Sequence, residues 1–489
     1  MADVPPRPVV PNVLASRYAS LEMNEIWSPE HKVVMERRLW VEILRAQRDA
    51  GMDVPDEAVA AYEAVVDDVD LASIEARERV SRHDVKARIE EFCALAGHEF
   101  IHRGLTSRDI TENVEQAQVR AALVLVRDRL VATLARLCTL ADRYADLVMT
   151  GRTHNVAAQA TTLGKRWATI GTETLAALER LDALLERYAL RGLKGPVGTQ
   201  QDLADLLAGV AGDTPPDVPA AVAEIERRVA AHLGFERVAA SVGQVYPRSL
   251  DLDVVATLVG AAAPLGNAAL LVRLMAGHEL ATEGFAAGQV GSSAMPHKMN
   301  PRSSERVTGL VTVLRGHLTM AAALAGDQWN EGDVSCSVVR RVVLPDAFFA
   351  LDGAIETTLE VLDNFGAHAA PIAAELADHL PFLATTRLLT AATAAGCGRE
   401  EAHAVIREHA LAATSARREG DSAAGAALLD RIAADARLGL SSEAVHAVVD
   451  DPASFTGLAR RQVDDFVAAA KAVIDARPSA AAYEPSPTL

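Results

Sequence analysis

The sequence predicts an all-α protein built around a central bundle of long helices. Three observations carry that expectation. Apolar residues recur every three or four positions over long stretches. Ala is plentiful while aromatic residues make up only 4% of the chain, which suits close-packed helices better than sheets. No alternating apolar–polar run of convincing length appears. The chain has 489 residues, half of them apolar. That is ample for a large core, and at roughly 150 residues per domain it suggests about three domains.

The elements follow in order. The N-terminal third reads as mixed shorter helices, interrupted by Pro55 and the acidic run 67–70. Ser81 or Asp84 is the expected cap of a helix over 85–96. Thr106 and Asp109 have the spacing of a capping box. From Leu123 the apolar positions Val126, Leu130, Leu134, Leu137, Ala141, Tyr144 and Val148 describe one long amphipathic helix. Gly151 is its expected stop. Another helix passes through Ile170, Thr174, Leu178, Leu181, Leu185 and Tyr188 and stops at Gly192. Gly212, Pro215, Pro216 and Pro219 mark a loop. Residues 250–285 and 305–325 are apolar and nearly free of breakers, too long for strands and so expected as buried helices. Gly284, Gly288, Gly291, Pro296 and Pro301 bracket a mobile segment between them. Pro371 and Pro381 mark a return to shorter helices, and the small, polar tail 478–489 is expected to be disordered. The domains drawn are an N-terminal helical domain at 1–120, the central bundle at 121–370, and a C-terminal helical domain at 371–489. The apolar faces of the central helices are too wide for one partner, so packing against further copies of the chain is expected.

Charge narrows the function. With 48 Lys plus Arg against 66 Asp plus Glu, the net charge is −18. That argues against nucleic acid as the main partner, but leaves room for a small anionic substrate. The four cysteines lie far apart with no CxxC pair, so neither a disulfide framework nor a zinc site is expected. No secretory signal and no membrane span is expected, and a cytoplasmic protein is the simple reading. Motifs for nicotinamide, ATP, zinc-protease and α/β-hydrolase chemistry do not occur.

Four polar segments break the helical pattern. Residues 81–84 place Arg82, His83 and Asp84 at a helix start, a plausible anion seat. Residues 102–109 offer the hydroxyls of Thr106 and Ser107 at another. Residues 150–155 carry His154, which on a polar turn can act as a general acid or base near neutral pH. Residues 291–301 are the most specific. Ser292, Ser293, Lys298 and Asn300 sit among glycines and prolines, and such a loop can polarise a carboxylate while a serine removes a proton. Taken singly, the first two segments are more often plain helix caps.

Gly291, Ser292, Ser293, Met295, Pro296, Lys298, Asn300 and Pro301 match throughout the GSSxMPxKxNP signature of the fumarase/aspartase superfamily, which this chain resembles. His297 makes the loop more similar to adenylosuccinate lyases and carboxymuconate cycloisomerases than to fumarases. Adenylosuccinate lyases are also resembled by Arg17-Tyr18, by Arg82-His83-Asp84, by Thr106-Ser107, by Gly151 to His154, by Gln244 and Arg248, and by Ser337 and Arg341. Met299 and Gly332 stand where many members carry Arg, Asn155 replaces a frequent Gly and Gln159 a frequent Pro. The resemblance implies a three-domain fold, a homotetramer with sites shared between subunits, no metal and no cofactor. It implies elimination of fumarate from adenylosuccinate and from the succinyl-aminoimidazole carboxamide ribotide of purine synthesis. It casts Ser292 as base and His154 as acid, with Glu305 a possible orienter. Arg17, Tyr18, Arg82, His83, Asp84, Thr106, Ser107, Gln244, Arg248, Ser293, Lys298, Asn300, Ser337 and Arg341 would bind the nucleotide substrate. The alternatives are a paralogue with another succinyl-type substrate, such as a nitrosuccinate-like lyase or a cycloisomerase, or a non-catalytic relative.

Overall fold

The structure is a computed structural model describing residues 10–210, 217–285 and 288–486. Gly212, Pro215 and Pro216 of the expected loop lie outside the described residues, as do residues 487–489 of the tail. Helices dominate, as expected. Six precede the bundle: α1 (Val13–Arg17), α2 (Leu21–Trp27), α3 (Pro29–Asp49), α4 (Asp56–Ala64), α5 (Leu71–Ser81) and α6 (Asp84–Ala96). His83 caps α6 in place of Ser81 or Asp84, its Nδ1 accepting from the Lys86 N–H at 3.3 Å. An unprotonated imidazole nitrogen satisfies an orphan helix donor as a hydroxyl would.

α7 (Ser107–Arg143) is 37 residues long, about 55 Å at 1.5 Å per residue. It begins well before Leu123 because its first turns bury Asp109, Glu112, Asn113 and Gln116. These polar residues share one face at helical spacing, and a search for apolar periodicity passes over them. The helix ends at Arg143. Val148 instead opens a hairpin in which β1 (Val148–Thr153) pairs antiparallel with β2 (Val156–Thr162). Gly151 is therefore no helix stop. It sits in mid-strand opposite Gln159, where a Cβ would fall 2.6 Å from a backbone oxygen. His154 and Asn155 form the turn with φ of 51° and 61°, the left-handed pair that matches strand twist in a two-residue hairpin.

α8 (Leu163–Arg187) packs back along α7. α9 (Gln201–Ala208) and α10 (Val218–His232) follow, and Pro219 lies in the first turn of α10. α11 (Ser249–Gly277), α12 (Arg302–Leu324) and α13 (Ser335–Asn364) complete the bundle. α11 stops short of residue 285 because β3 (Ala281–Thr282) pairs with β4 (Gly366–Ala367). By length and composition α11 and α12 could cross a membrane, yet they are core helices of the bundle, with 50% and 39% of their most apolar windows buried. Their remaining apolar surface includes Leu270, Leu274, Val313 and Met320, all exposed.

α14 (Ala369–Leu383), α15 (Thr385–Ala394), α16 (Arg399–Arg418), α17 (Ala424–Ala434) and α18 (Ser442–Ala447) follow. The last four of these form a satellite core around Leu388, Val405, Leu428, Ile432 and Val445. α19 (Ala459–Ala476) rejoins the main core through Val463 and Phe466, whose ring occupies the space that any Cβ at Gly171 would need. Residues 478–486, expected to be disordered, are docked on the main core. After α20 (Pro478–Ala481), the Tyr483 ring lies over the Arg129 guanidinium, its hydroxyl donates to Glu356 Oε2 at 3.0 Å, and the Ser486 N–H donates to the same oxygen at 2.9 Å. One aromatic anchor and a buried acceptor suffice to dock a segment whose composition reads as loose.

Candidate active site

The sequence-expected site residues gather at two ends of the bundle. α12 and α13 are joined only by residues 325–334 and run antiparallel. The segment after α11 is pinned to the C-terminal end of α13. Thr282 pairs with Gly366, and Gly284, with φ of +81°, sits so close to Asn364 that a Cβ would fall 2.4 Å from its side chain. Arg341 lies 364 − 341 = 23 residues earlier on α13, about 35 Å away.

At the Arg341 end the groups form two charge clusters, one around Asp84 and one around Glu112. Asp84 accepts from Arg341 at 3.2 Å and Arg88 at 3.4 Å, so α6 and α13 are bridged by two residues singled out in the sequence. Burial pushes the Asp84 carboxyl up, but Arg88, the Val85 N–H and Arg341 together hold it below its usual range. Arg88 also meets buried Glu36 at 2.6 Å. Glu115 takes Lys32 at 2.9 Å and Arg340 at 2.7 Å. Glu112, fully buried, accepts both Nη groups of Arg248 at 2.9 and 2.8 Å, and also Arg340 and Arg108 at 3.2 Å. Arg340 reaches Asp251 at 2.8 Å and the Tyr246 hydroxyl at 2.5 Å. Despite burial, the guanidinium groups of Arg340 and Arg248 hold Glu112 ionised.

Several expected binding residues thus have structural duties. Arg248 is buried and committed to Glu112. The Thr106 N–H donates to Asp109 Oδ2 at 2.8 Å, while Asp109 Oδ1 receives Arg191 at 2.6 Å. Thr106 is the N-cap and Ser107 the first residue of α7. Gln244 takes part through its backbone N–H, which donates to the Glu331 carbonyl at 2.7 Å. Arg17, Arg82 and His83 are exposed, and Ser337 is half-buried one turn before Arg341. Tyr18 packs beneath Arg306, 5.8 Å from its ring centre. Gly332 has φ of 146°, with Val245 and Gln244 3.1 and 3.2 Å from where a Cβ would stand. An Arg there would be strained, which accounts for the glycine.

At the other end lie the groups that the sequence casts as reactive. Ser292 Oγ accepts from the N–H groups of Met295 at 3.1 Å and Ala294 at 3.3 Å. Asn300 Nδ2 donates to the Gly291 carbonyl at 3.0 Å and ties the loop across its own base. Gly291 is required, because a Cβ would meet the Lys298 carbonyl at 2.4 Å. Ser293 and Lys298 are exposed. Lys298, Asn300 and Glu305 line a cavity of about 1300 Å³ with Arg273, His297 and Phe285. His154 stands exposed on its hairpin turn, and its neighbour Arg152 pairs with Glu375 on α14. Among the described residues no hydrogen bond joins His154 to Ser292 or Glu305.

Sequence reasoning missed Arg108, Glu112 and Arg340 as one network, and Arg88 as the second arginine on Asp84. The available signal was the polar stripe Asp109, Glu112, Asn113, Gln116 on a core-facing helix. It also missed Glu283, a buried carboxylate beside the loop.

Known proteins resemble most of the chain. The lyase family profile matches residues 21–316, and that of the adenylosuccinate lyase C-terminus matches 381–466. The adenylosuccinate lyase of Saccharomyces cerevisiae is 34% identical over 93% of both chains. That of Methanothermobacter thermautotrophicus is 32% identical over 81% of this chain and 86% of its own. Among solved structures, the 3-carboxy-cis,cis-muconate lactonizing enzyme of Pseudomonas putida superposes with a TM-score of 0.81 over 94% of this chain and 99% of its own, at 22% identity. The last likeness speaks for the fold alone.

Proposed function

The chain belongs to the adenylosuccinate lyase family of the fumarase/aspartase superfamily, and from that premise we propose how it carries out the family's reaction. It is a carbon–nitrogen lyase that cleaves adenylosuccinate to AMP and fumarate. The same elimination applies to the succinyl-aminoimidazole carboxamide ribotide. The difficult step is removal of a proton beside a carboxylate, which builds a dianion.

Ser292 takes that proton. A serine is a poor base unless its alkoxide is stabilised, and the N–H groups of Ala294 and Met295 already point at its oxygen. This is the observation that carries the assignment. Lys298, without an ion-pair partner among the described residues, faces the developing carboxylate charge. As the C–N bond breaks, its electron pair leaves with nitrogen, and His154 supplies the proton there. Glu305 orients His154. Arg341, with His83 and Ser337, takes the phosphate side, where Asp84 holds Arg341 in place; Arg17 and Tyr18 stand between the two ends, Tyr18 beside Gly353 and beneath Arg306. Arg248, Thr106 and Gln244 build the wall behind the substrate.

A nucleotide-sized substrate cannot span the length of about 35 Å that separates Arg341 from the stem of the Ser292 loop at Asn364. The reading therefore includes a cytoplasmic homotetramer, with each site assembled from the two ends of different copies. Apolar side chains exposed on three central helices support it: Leu270 and Leu274 on α11, Val313 and Met320 on α12, and Val338 and Val342 on α13. Release of AMP and fumarate from adenylosuccinate by the purified protein is the expected result. A folded tetramer without turnover would redirect attention to Met299 and to the altered loop at Gly332.

A further inference from the structure

We infer that Glu283 is a positioning residue that ties the two stems of the loop carrying Ser292, Lys298 and Asn300. The chain enters that segment through β3 and leaves it into α12. A helix start exposes N–H groups that its own turn cannot satisfy. Most helices meet that need with a Ser, Thr, Asp or Asn at the N-cap. α12 has Pro301 there and no side-chain cap of its own. The donors are taken from across the loop instead. Glu283 Oε1 accepts the Ser303 N–H at 2.9 Å, and Oε2 accepts the Ser304 N–H at 2.9 Å and the Ser304 hydroxyl at 2.8 Å.

Glu283 is 4% exposed and Ser304 fully buried, so these charge-assisted bonds are shielded from water. The negative carboxylate also faces the positive end of the α12 dipole. Glu283 is itself held in place, because the residues on either side of it, Thr282 and Gly284, are pinned to Gly366 and Asn364. The exit stem is short. Lys298, Asn300 and Pro301 lie within five residues of Ser303, so a shift at the clasp moves them directly.

The inference rests on the catalytic role proposed for the loop, and its test separates the two. Without any substrate, hydrogen exchange of the wild-type protein should show the Ser303 and Ser304 amides protected, where first-turn amides normally exchange fast. Fast exchange at both would overturn the clasp whatever reaction the protein catalyses. In Glu283→Ala, protease cleavage within 288–300 should become fast, and kcat should fall about 100-fold with KM changed less than about threefold. Glu283→Gln keeps the shape but turns a donor toward one backbone N–H, and should fall between the two. Glu283→Ala with wild-type kcat and an uncleaved loop would overturn the inference. Should that variant fail to fold, Glu283→Gln with unchanged kcat would do the same.

Discussion

The two ends of the bundle use charge in opposite ways. At the Arg341 end almost every ionic group has a partner within the chain: Glu112 serves three guanidinium groups, Arg340 four acceptor residues, and Asp84 two arginines. At the other end Lys298, Ser293 and His154 are exposed, and among the described residues His154 is bonded to nothing. A buried ion network costs desolvation and is kept only when its geometry is complete. Exposed side chains carry no such cost. On the proposed mechanism the first end is framework, and the second holds the reacting groups.

Substitutions should divide along that line. Ser292→Ala or His154→Ala should lower kcat by about 10²–10⁴-fold and leave the melting temperature nearly unchanged, as steady-state rates and thermal unfolding would show. At the framework end, Glu112→Gln or Arg340→Met should destabilise by about 3–5 kcal/mol in denaturant titration, because each strands buried charges. A cost under about 1 kcal/mol would mean that the network is not a unit. Arg341→Ala removes an exposed cation and should raise KM about tenfold with little change in kcat or stability.

The smallest effect concerns the docked tail. Burial lifts Asp352 to about 6 and Glu356 to about 7, in a pocket also holding Arg129, Glu22, Ser20 and Tyr483. A carboxyl raised in the folded state stabilises while protonated. That contribution is full below the ordinary values of 3.8 and 4.5 and is lost as pH rises toward 7. Glu356→Gln should flatten the fall in stability between those limits. An unchanged pH profile would count against a protonated Glu356.

What was legible in the sequence was local. The three-to-four spacing located the long helices, and the 291–301 segment stood out by composition alone. What was not legible depended on distant partners. The hairpin around His154 needs Gly151 opposite Gln159, the burial of Arg248 needs Glu112 from another helix, and the order of the tail needs Glu356 as acceptor. A polar residue reads the same in sequence whether it faces substrate or a buried ion.

On the proposed mechanism each site draws its two ends from different copies. The direct test mixes two variants after subunit exchange, one chain carrying Ser292→Ala, the other both His83→Ala and Arg341→Ala. With substrate well below the wild-type KM, where both parents are slow, mixed tetramers should turn over faster than either parent, because some sites receive an intact loop from one chain and an intact anion seat from the other. Mixed tetramers that form and turn over no faster than the better parent at that substrate concentration would contradict it.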